Sequence, residues 1–261
     1  MNKQTRIIFI TLLSFGLYFL IDELYFRSLR SWLNEFFHQL GTSHLIAYIM
    51  VGVPIFVGTY CLHTKKFFDA LGFGRSIFKA FIFALLCTLP MFLGYSLLSG
   101  LNHEYTLNQF LVSAIAAAFF EELYFRGFLF GQLYRYTRLG FIPSVFLGAV
   151  IFGLIHLYQG TDVSELLGIF AVTFMGGILF AWVYVEWRFN LWVPIFLHLL
   201  MNLSWDICAM GNSALGNGYA NLFRLITIAL IIILTITCKK RKKMRLEVNR
   251  NSVWMEKAST N

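Results

Sequence analysis

Phe119-Phe120-Glu121-Glu122-Leu123-Tyr124-Phe125-Arg126 sets two adjacent carboxylates and a guanidinium inside a long apolar run. An ionised carboxylate at the centre of a bilayer costs about 2.5–3.5 kcal/mol even on lenient insertion scales, and two neighbours also repel each other. Lipid-facing packing gives no return for that cost. Such residues face the interior of a helical bundle and mark a functional site.

The rest of the chain supports a membrane reading. It is 261 residues long, 58% hydrophobic and only 13% charged, against about 25% charged in an ordinary soluble domain. Apolar runs near the ~20-residue length of a membrane span recur throughout. They predict an all-α polytopic membrane bundle of about eight transmembrane helices, near 6–21, 45–62, 77–98, 107–130, 142–158, 166–185, 190–207 and 223–238. Residues 1–106 would hold N-terminal helices, 107–207 a core of further spans, and 208–261 the last helix with a basic tail. Between the first two spans, Leu29, Trp32, Leu33, Phe36, Phe37 and Leu40 recur at helical spacing. They predict an amphipathic helix, lying either on the outer interface or packed on the bundle.

The formal net charge is +8, but its distribution argues against nucleic acid as a partner. Lys239-Lys240-Arg241-Lys242-Lys243-Met244-Arg245 directly follows the last apolar run, as a cytoplasmic anchor beside anionic lipid would. Lys3, Arg6, Lys65, Lys66, Arg75, Lys79, Arg126, Arg135, Arg138 and Arg188 fall on the same side of the alternating spans, against Arg27 and Arg30, with Arg224 at a helix edge, on the other. Loops 99–106, 159–165 and 208–222 carry no Lys or Arg. The positive-inside rule then puts both termini in the cytoplasm. Lys3 and Arg6 before an apolar run resemble a signal peptide, but the run ends in Asp22-Glu23-Leu24-Tyr25 with no small-residue cleavage site. An uncleaved first helix is the expectation. Cys61, Cys87, Cys208 and Cys238 stand singly and read as ordinary thiols.

Few other polar side chains enter the spans. The fifth contains Phe152-x-x-x-His156 and the seventh His198-x-x-x-Asn202; residues four apart share a helix face. At 1.5 Å per residue, Glu121 and His156 come out about 20 Å from the inner boundary, and His198 about 12 Å or deeper. A carboxylate among imidazoles can activate water: the glutamate takes a proton, while the histidines hold the water, bind a metal or stabilise an oxyanion. Arg126, four residues beyond Glu122, can pair with it and leave Glu121 as the freer base. Asn202 could donate to an oxyanion.

Glu121-Glu122-x-x-x-Arg126, Phe152-x-x-x-His156 and His198-x-x-x-Asn202, in this order on separate helices, resemble the signature of the CPBP family. These are the CAAX-processing and bacteriocin-processing intramembrane proteases, also called the Abi family. The resemblance covers about residues 107–207. It implies an intramembrane metalloendopeptidase in which Glu121 activates water, His156 and His198 complete the site, and Asn202 forms the oxyanion hole. Glu122, Arg126 and Phe152 would support them. It leaves open whether Glu121, His156 and His198 ligate Zn2+ or handle water without a metal. The implied partners are membrane lipid and a membrane-associated peptide or lipidated protein. The short loops suggest a bacterial cell membrane, with peptide maturation or bacteriocin self-immunity as the role.

Two other classes compete with this reading. A proton-coupled transporter also uses intramembrane Glu and His, but no repeated half or matching pair of interrupted helices is visible. A non-catalytic membrane scaffold would keep the motif for shape. Two serine- and metalloprotease look-alikes fail on their own terms. His103-Glu104-Tyr105-Thr106-Leu107 lacks the second histidine of HExxH, and Gly94-Tyr95-Ser96-Leu97 lacks the following glycine of a nucleophile motif. Gly127 and Gly131 form a GxxxG suited to close helix packing. Asp206 is expected near the outer interface.

Overall fold

A computed structural model describes residues 2–211 and 213–255, and it is an all-α membrane bundle. Helix α1 (Lys3–Phe37) starts where the Asn2 side chain accepts the Thr5 N–H, and ends at His38, whose left-handed backbone turns its N–H back to Asn34 O. No glycine or proline interrupts residues 17–37. Of the segment expected as a separate amphipathic helix at 29–40, residues 29–37 are therefore the C-terminal part of α1 itself, while Leu40 opens α2. With 35 residues at 1.5 Å each, α1 is about 50 Å long, well beyond a ~30 Å hydrocarbon core. Along that C-terminal part Leu33 is buried, while Trp32 and Phe36 are exposed.

The second expected span is broken. Helices α2 (Leu40–Val51) and α3 (Val53–His63) meet at Gly52, and the axis of α2 bends by 44° from that of Val53–Leu71. Pro54, in the first turn of α3, has no N–H to continue the α2 ladder. Tyr124 uses the break: its hydroxyl donates to Tyr48 O at 2.7 Å. A Cβ on Gly52 would collide with that hydroxyl and lie 2.6 Å from Tyr124 Cζ. A short helix α4 (Phe67–Leu71) follows, then α5 (Ile77–Ser99), capped by Ser76.

The fourth expected span is composite. After α6 (Leu107–Gln109), opened by a Thr106–Gln109 capping box, residues Phe110–Phe130 wind as a π-helix, and α7 (Gly131–Tyr136) completes the rod. The last four spans are α8 (Phe141–Ile155), α9 (Val163–Glu186), α10 (Trp192–Ile207) and α11 (Gly218–Arg241). Among the described residues no strand forms; Leu139 and Met255 make an isolated antiparallel bridge.

Among the described residues, five helices are long and apolar enough to cross a membrane by themselves: α1, α5, α8 with its extension to Gln159, α9 and α11. The bent α2–α4 unit would make a sixth. The expected spans at 107–130 and 190–207 fall outside that set for a physical reason. The π-helix carries Glu121, Glu122 and Arg126, and α10 has only 16 residues. These two are the inner helices. Glu122, Leu123, Tyr124, Phe125 and Arg126 are buried in sequence, and α10 buries Val193, Leu197, His198 and Leu200. The largest core cluster gathers Phe15, Ile55, Leu71, Tyr124, Phe128, Phe152, Tyr184 and Leu191 around the π-helix.

The expected basic tail does not trail away. Beyond α11 it crosses the end of the bundle, where Glu247 N–H and Val248 N–H donate to the buried Glu186 carboxylate at 3.1 and 2.9 Å. Ser252, Val253 and Trp254 carbonyls then accept N–H groups of Phe141, Ile142 and Gly140 at the start of α8.

Candidate active site

The π-helix turns Glu122 and Arg126 inward, one turn apart. Arg126 Nη1 lies 3.1 Å from Glu122 Oε1, and both side chains are essentially excluded from solvent. Burying this pair is tolerable because the charges face each other and aromatic rings cover the cation. The guanidinium carbon sits 4.3 Å from the Phe152 ring centre and 5.7 Å from that of Phe180. Gly177 on α9 makes room for it: a Cβ there would already touch Arg126 Nη2 at 3.4 Å.

His198 enters from α10. Its Nδ1 is 2.9 Å from the same Glu122 Oε1 that faces Arg126. A carboxylate accepts only, so Nδ1 carries the proton and donates. That bond turns Nε2 toward Glu121, 4.0 Å from Oε2. This distance exceeds a hydrogen bond and matches a polar contact through a bridging water. Glu121 Oε2 is buried and accepts no hydrogen bond among the described residues. The two adjacent glutamates thus have different environments. Glu122 shares its Oε1 between Arg126 and His198 while its Oε2 is buried without a hydrogen bond, whereas the free Glu121 Oε2 lies beside an imidazole nitrogen.

His156 terminates α8 and is partly exposed. Its Nδ1 is 2.7 Å from Phe152 O, and its ring packs 4.5 Å from the Phe152 ring. Phe152 therefore connects His156 to Arg126 by stacking. Among the described residues His156 makes no ion pair with either glutamate. Nor do any three His, Cys, Asp or Glu side chains gather closely enough to hold a metal ion. Glu121, His156 and His198, the expected zinc set, are donors of a kind that zinc accepts, but they are not gathered into such a group among the described residues.

Asn202 follows His198 by one turn. Its Nδ2 donates to Ser113 O at 2.8 Å, which leaves a second amide N–H. The Ser113 hydroxyl donates to Asp206, another turn along α10. Asp206, expected near the outer interface, is thus tied to the π-helix and helps fix α10 against it. Sequence spacing gave no sign of Ser113, because a lone serine in an apolar run is unremarkable.

Asp22 on α1 was also passed over, since the first span was expected to end at residue 21. Its carboxylate lies near enough to Glu121 for their charges to interact, and Asp22 Oδ1 is buried without a hydrogen-bond partner. The same cost argument that singled out Glu121 could have found it. The look-alike motifs are occupied structurally: Tyr95 donates to Ala220 O and Ser96 to Phe92 O. Gly127 packs against Leu191 and Leu71 O, and Gly131 faces Tyr184, as a packing motif should.

Residues 103–204 match the family model described as type II CAAX prenyl endopeptidase Rce1-like. That segment contains Glu121, Glu122, Arg126, Phe152, His156, His198 and Asn202. A Bacillus subtilis (strain 168) protein, "Putative membrane peptidase YdiL", is 38% identical over 92 residues, covering 35% of this chain and 33% of that protein. The chain therefore matches about a third of the length of this curated relative. No solved structure matches.

Proposed function

We propose that this integral membrane protein is a CPBP-type endopeptidase whose water-activating base is Glu121; the match of residues 103–204 to the Rce1-like family model and the similarity to the Bacillus subtilis "Putative membrane peptidase YdiL" support the reading. The observation that carries the reading is the unengaged Glu121 Oε2 facing His198 Nε2 at 4.0 Å, with the other imidazole nitrogen bound to Glu122.

In the proposed reaction a water between Glu121 and His198 gives a proton to Glu121 as its oxygen attacks the scissile carbonyl carbon. The carbonyl oxygen becomes an oxyanion, stabilised by the second N–H of Asn202 and by His156 in its imidazolium form, whose Nε2–H donates while Nδ1–H stays on Phe152 O. Collapse of the tetrahedral intermediate breaks the C–N bond, and the Glu121 carboxylic acid returns the proton to the leaving amine. Glu122 orients His198 and Arg126 holds Glu122; neither touches the reacting atoms. No step passes through a metal. A zinc-dependent variant of the same reading would need His156 to move toward Glu121 and His198.

The substrate class that fits is a membrane-associated peptide or lipidated protein, cut at a site entered from the basic end of the bundle. That end is assigned to the cytoplasm of a bacterial cell. The test uses the purified full-length protein in proteoliposomes with membrane-tethered peptides, with and without a prenylated C-terminal cysteine, and mass spectrometry to locate the cut. Glu121→Gln should lower cleavage by about 10²–10⁴-fold, the usual worth of a general base, with unchanged folding. Wild-type rates in that variant would refute the assignment. Proton-coupled solute uptake abolished by the same substitution would favour a transporter instead.

A further inference from the structure

The end of the bundle opposite Asn202 contains a cavity that the peptidase reading does not use. It has a volume of about 260 Å³, against about 10–15 Å³ for a single water on the same measure. It lies where α5 and α10 begin and where α9 and α11 end. Arg75, Lys79, Arg188 and Lys242 line it. Among the described residues none of these four forms an ion pair, so four cations converge with no protein counter-charge. The acidic lining residue, Glu186, is consumed: it is buried, holds Lys239 at 2.8 Å and accepts two N–H groups of the tail. This inner pair fixes the wall without cancelling the other four charges. Arg188 is held in a left-handed backbone conformation, φ 59°, and its carbonyl accepts the Arg75 Nε–H at 3.2 Å. The Arg75 side chain is thus fixed to the Arg188 backbone, and the Arg188 guanidinium lies 3.7 Å from Met244 Sδ across the rim.

From this juxtaposition we infer that the cavity binds the phosphate headgroup of an anionic phospholipid. Convergent Lys and Arg at a helix-bundle edge suit a phosphodiester, since each supplies charge-assisted N–H donors to its oxygens. The neighbouring surface suits the rest of such a molecule. Phe78, Ile82, Leu86, Leu93 and Leu97 are exposed apolar residues along α5, beginning three residues after Arg75 and directly before Lys79. A lipid with its phosphate among the four cations would lay its acyl chains along them. A free phosphate would satisfy the charges but leave these residues without use, so the lipid is the occupant. The inference does not depend on peptidase activity.

Lys79 and Lys242 are exposed and make no side-chain hydrogen bond or ion pair among the described residues, so replacing them leaves the fold intact. The experiment is a binding titration of the full chain in neutral detergent, read by native mass spectrometry and by thermal unfolding. The additives are phosphatidylglycerol, phosphatidylcholine and inorganic phosphate. Phosphatidylglycerol should be retained and should raise the unfolding temperature, while phosphatidylcholine and inorganic phosphate at equal concentration should not. The double variant Lys79→Gln/Lys242→Gln should bind phosphatidylglycerol at least tenfold more weakly and unfold normally without lipid. Equal retention of the two lipids, undiminished binding by the variant, or an equal effect of inorganic phosphate would each overturn the proposal.

Discussion

Glu122, not Glu121, carries the structural burden of the pair. Its Oε1 faces both Arg126 Nη1 and His198 Nδ1 in a region closed to solvent. Glu122→Ala would leave Arg126 as an uncompensated buried charge. The expected outcome is a loss of about 3–5 kcal/mol of stability, seen as a lowered unfolding temperature in detergent. Glu121→Gln should barely move that temperature, because no hydrogen bond to Oε2 is lost. Opposite rankings of the two variants in stability and in activity would separate the roles; equal destabilisation would refute the division. Asn202→Ala should lower cleavage about 10²–10³-fold if its free N–H meets the oxyanion. An unchanged rate in a peptide-cleavage assay would reduce Asn202 to the interhelical anchor that its bond to Ser113 already makes it.

At the level of elements, two glycines set where helices can approach the site. Gly52 lets the Tyr124 hydroxyl reach Tyr48 O across the break between α2 and α3. Tyr124 is fully buried and has no room to retreat. Gly52→Ala should therefore cost about 1–3 kcal/mol, read from thermal unfolding. Gly177 leaves space beside Arg126, and a bulky residue would push the guanidinium from Glu122. Gly177→Leu should impair both folding and cleavage, whereas Gly177→Ala meets only ordinary contacts at 3.4 Å and should be mild. The amphipathic pattern at 29–40 was legible as a helix, but not that residues 29–37 belong to α1. Periodicity reports a helical face, and the continuity with residues 3–28 comes from the lack of any breaker. The π winding of Phe110–Phe130 leaves no mark in composition. It also shortens the rise per residue, so depths calculated for an ideal α-helix overstate the distance of Glu121 from the boundary.

For the whole molecule, the tail acts as a strap joining α9, α11 and the start of α8. Glu186 accepts its Glu247 and Val248 N–H groups and pairs with Lys239. A chain ending at Arg245 would lose both donors to a buried carboxylate. Hydrogen bonds to charged groups contribute about 1.5–3 kcal/mol each, so that truncation should lower the unfolding temperature by several degrees. No change would show that the strap is dispensable.

The sequence by itself determined the membrane class and most of the helices, and it singled out the intramembrane Glu, Arg, His and Asn residues as candidates. Hydrophobic runs must span a bilayer, and intramembrane charges are too costly to be incidental. It also foresaw the Glu122–Arg126 contact, because spacing along one helix fixes which side chains can meet. Contacts between helices have no such rule. Only the tertiary structure decided that His198 binds Glu122 while presenting Nε2 to Glu121, that His156 rests on Phe152 away from both glutamates, and that Asp206 holds Ser113. It likewise gathered Arg75, Lys79, Arg188 and Lys242, distant in sequence, around one cavity. The reason is that helix rotation and depth are set by packing between neighbours, and a linear pattern constrains each helix only against itself.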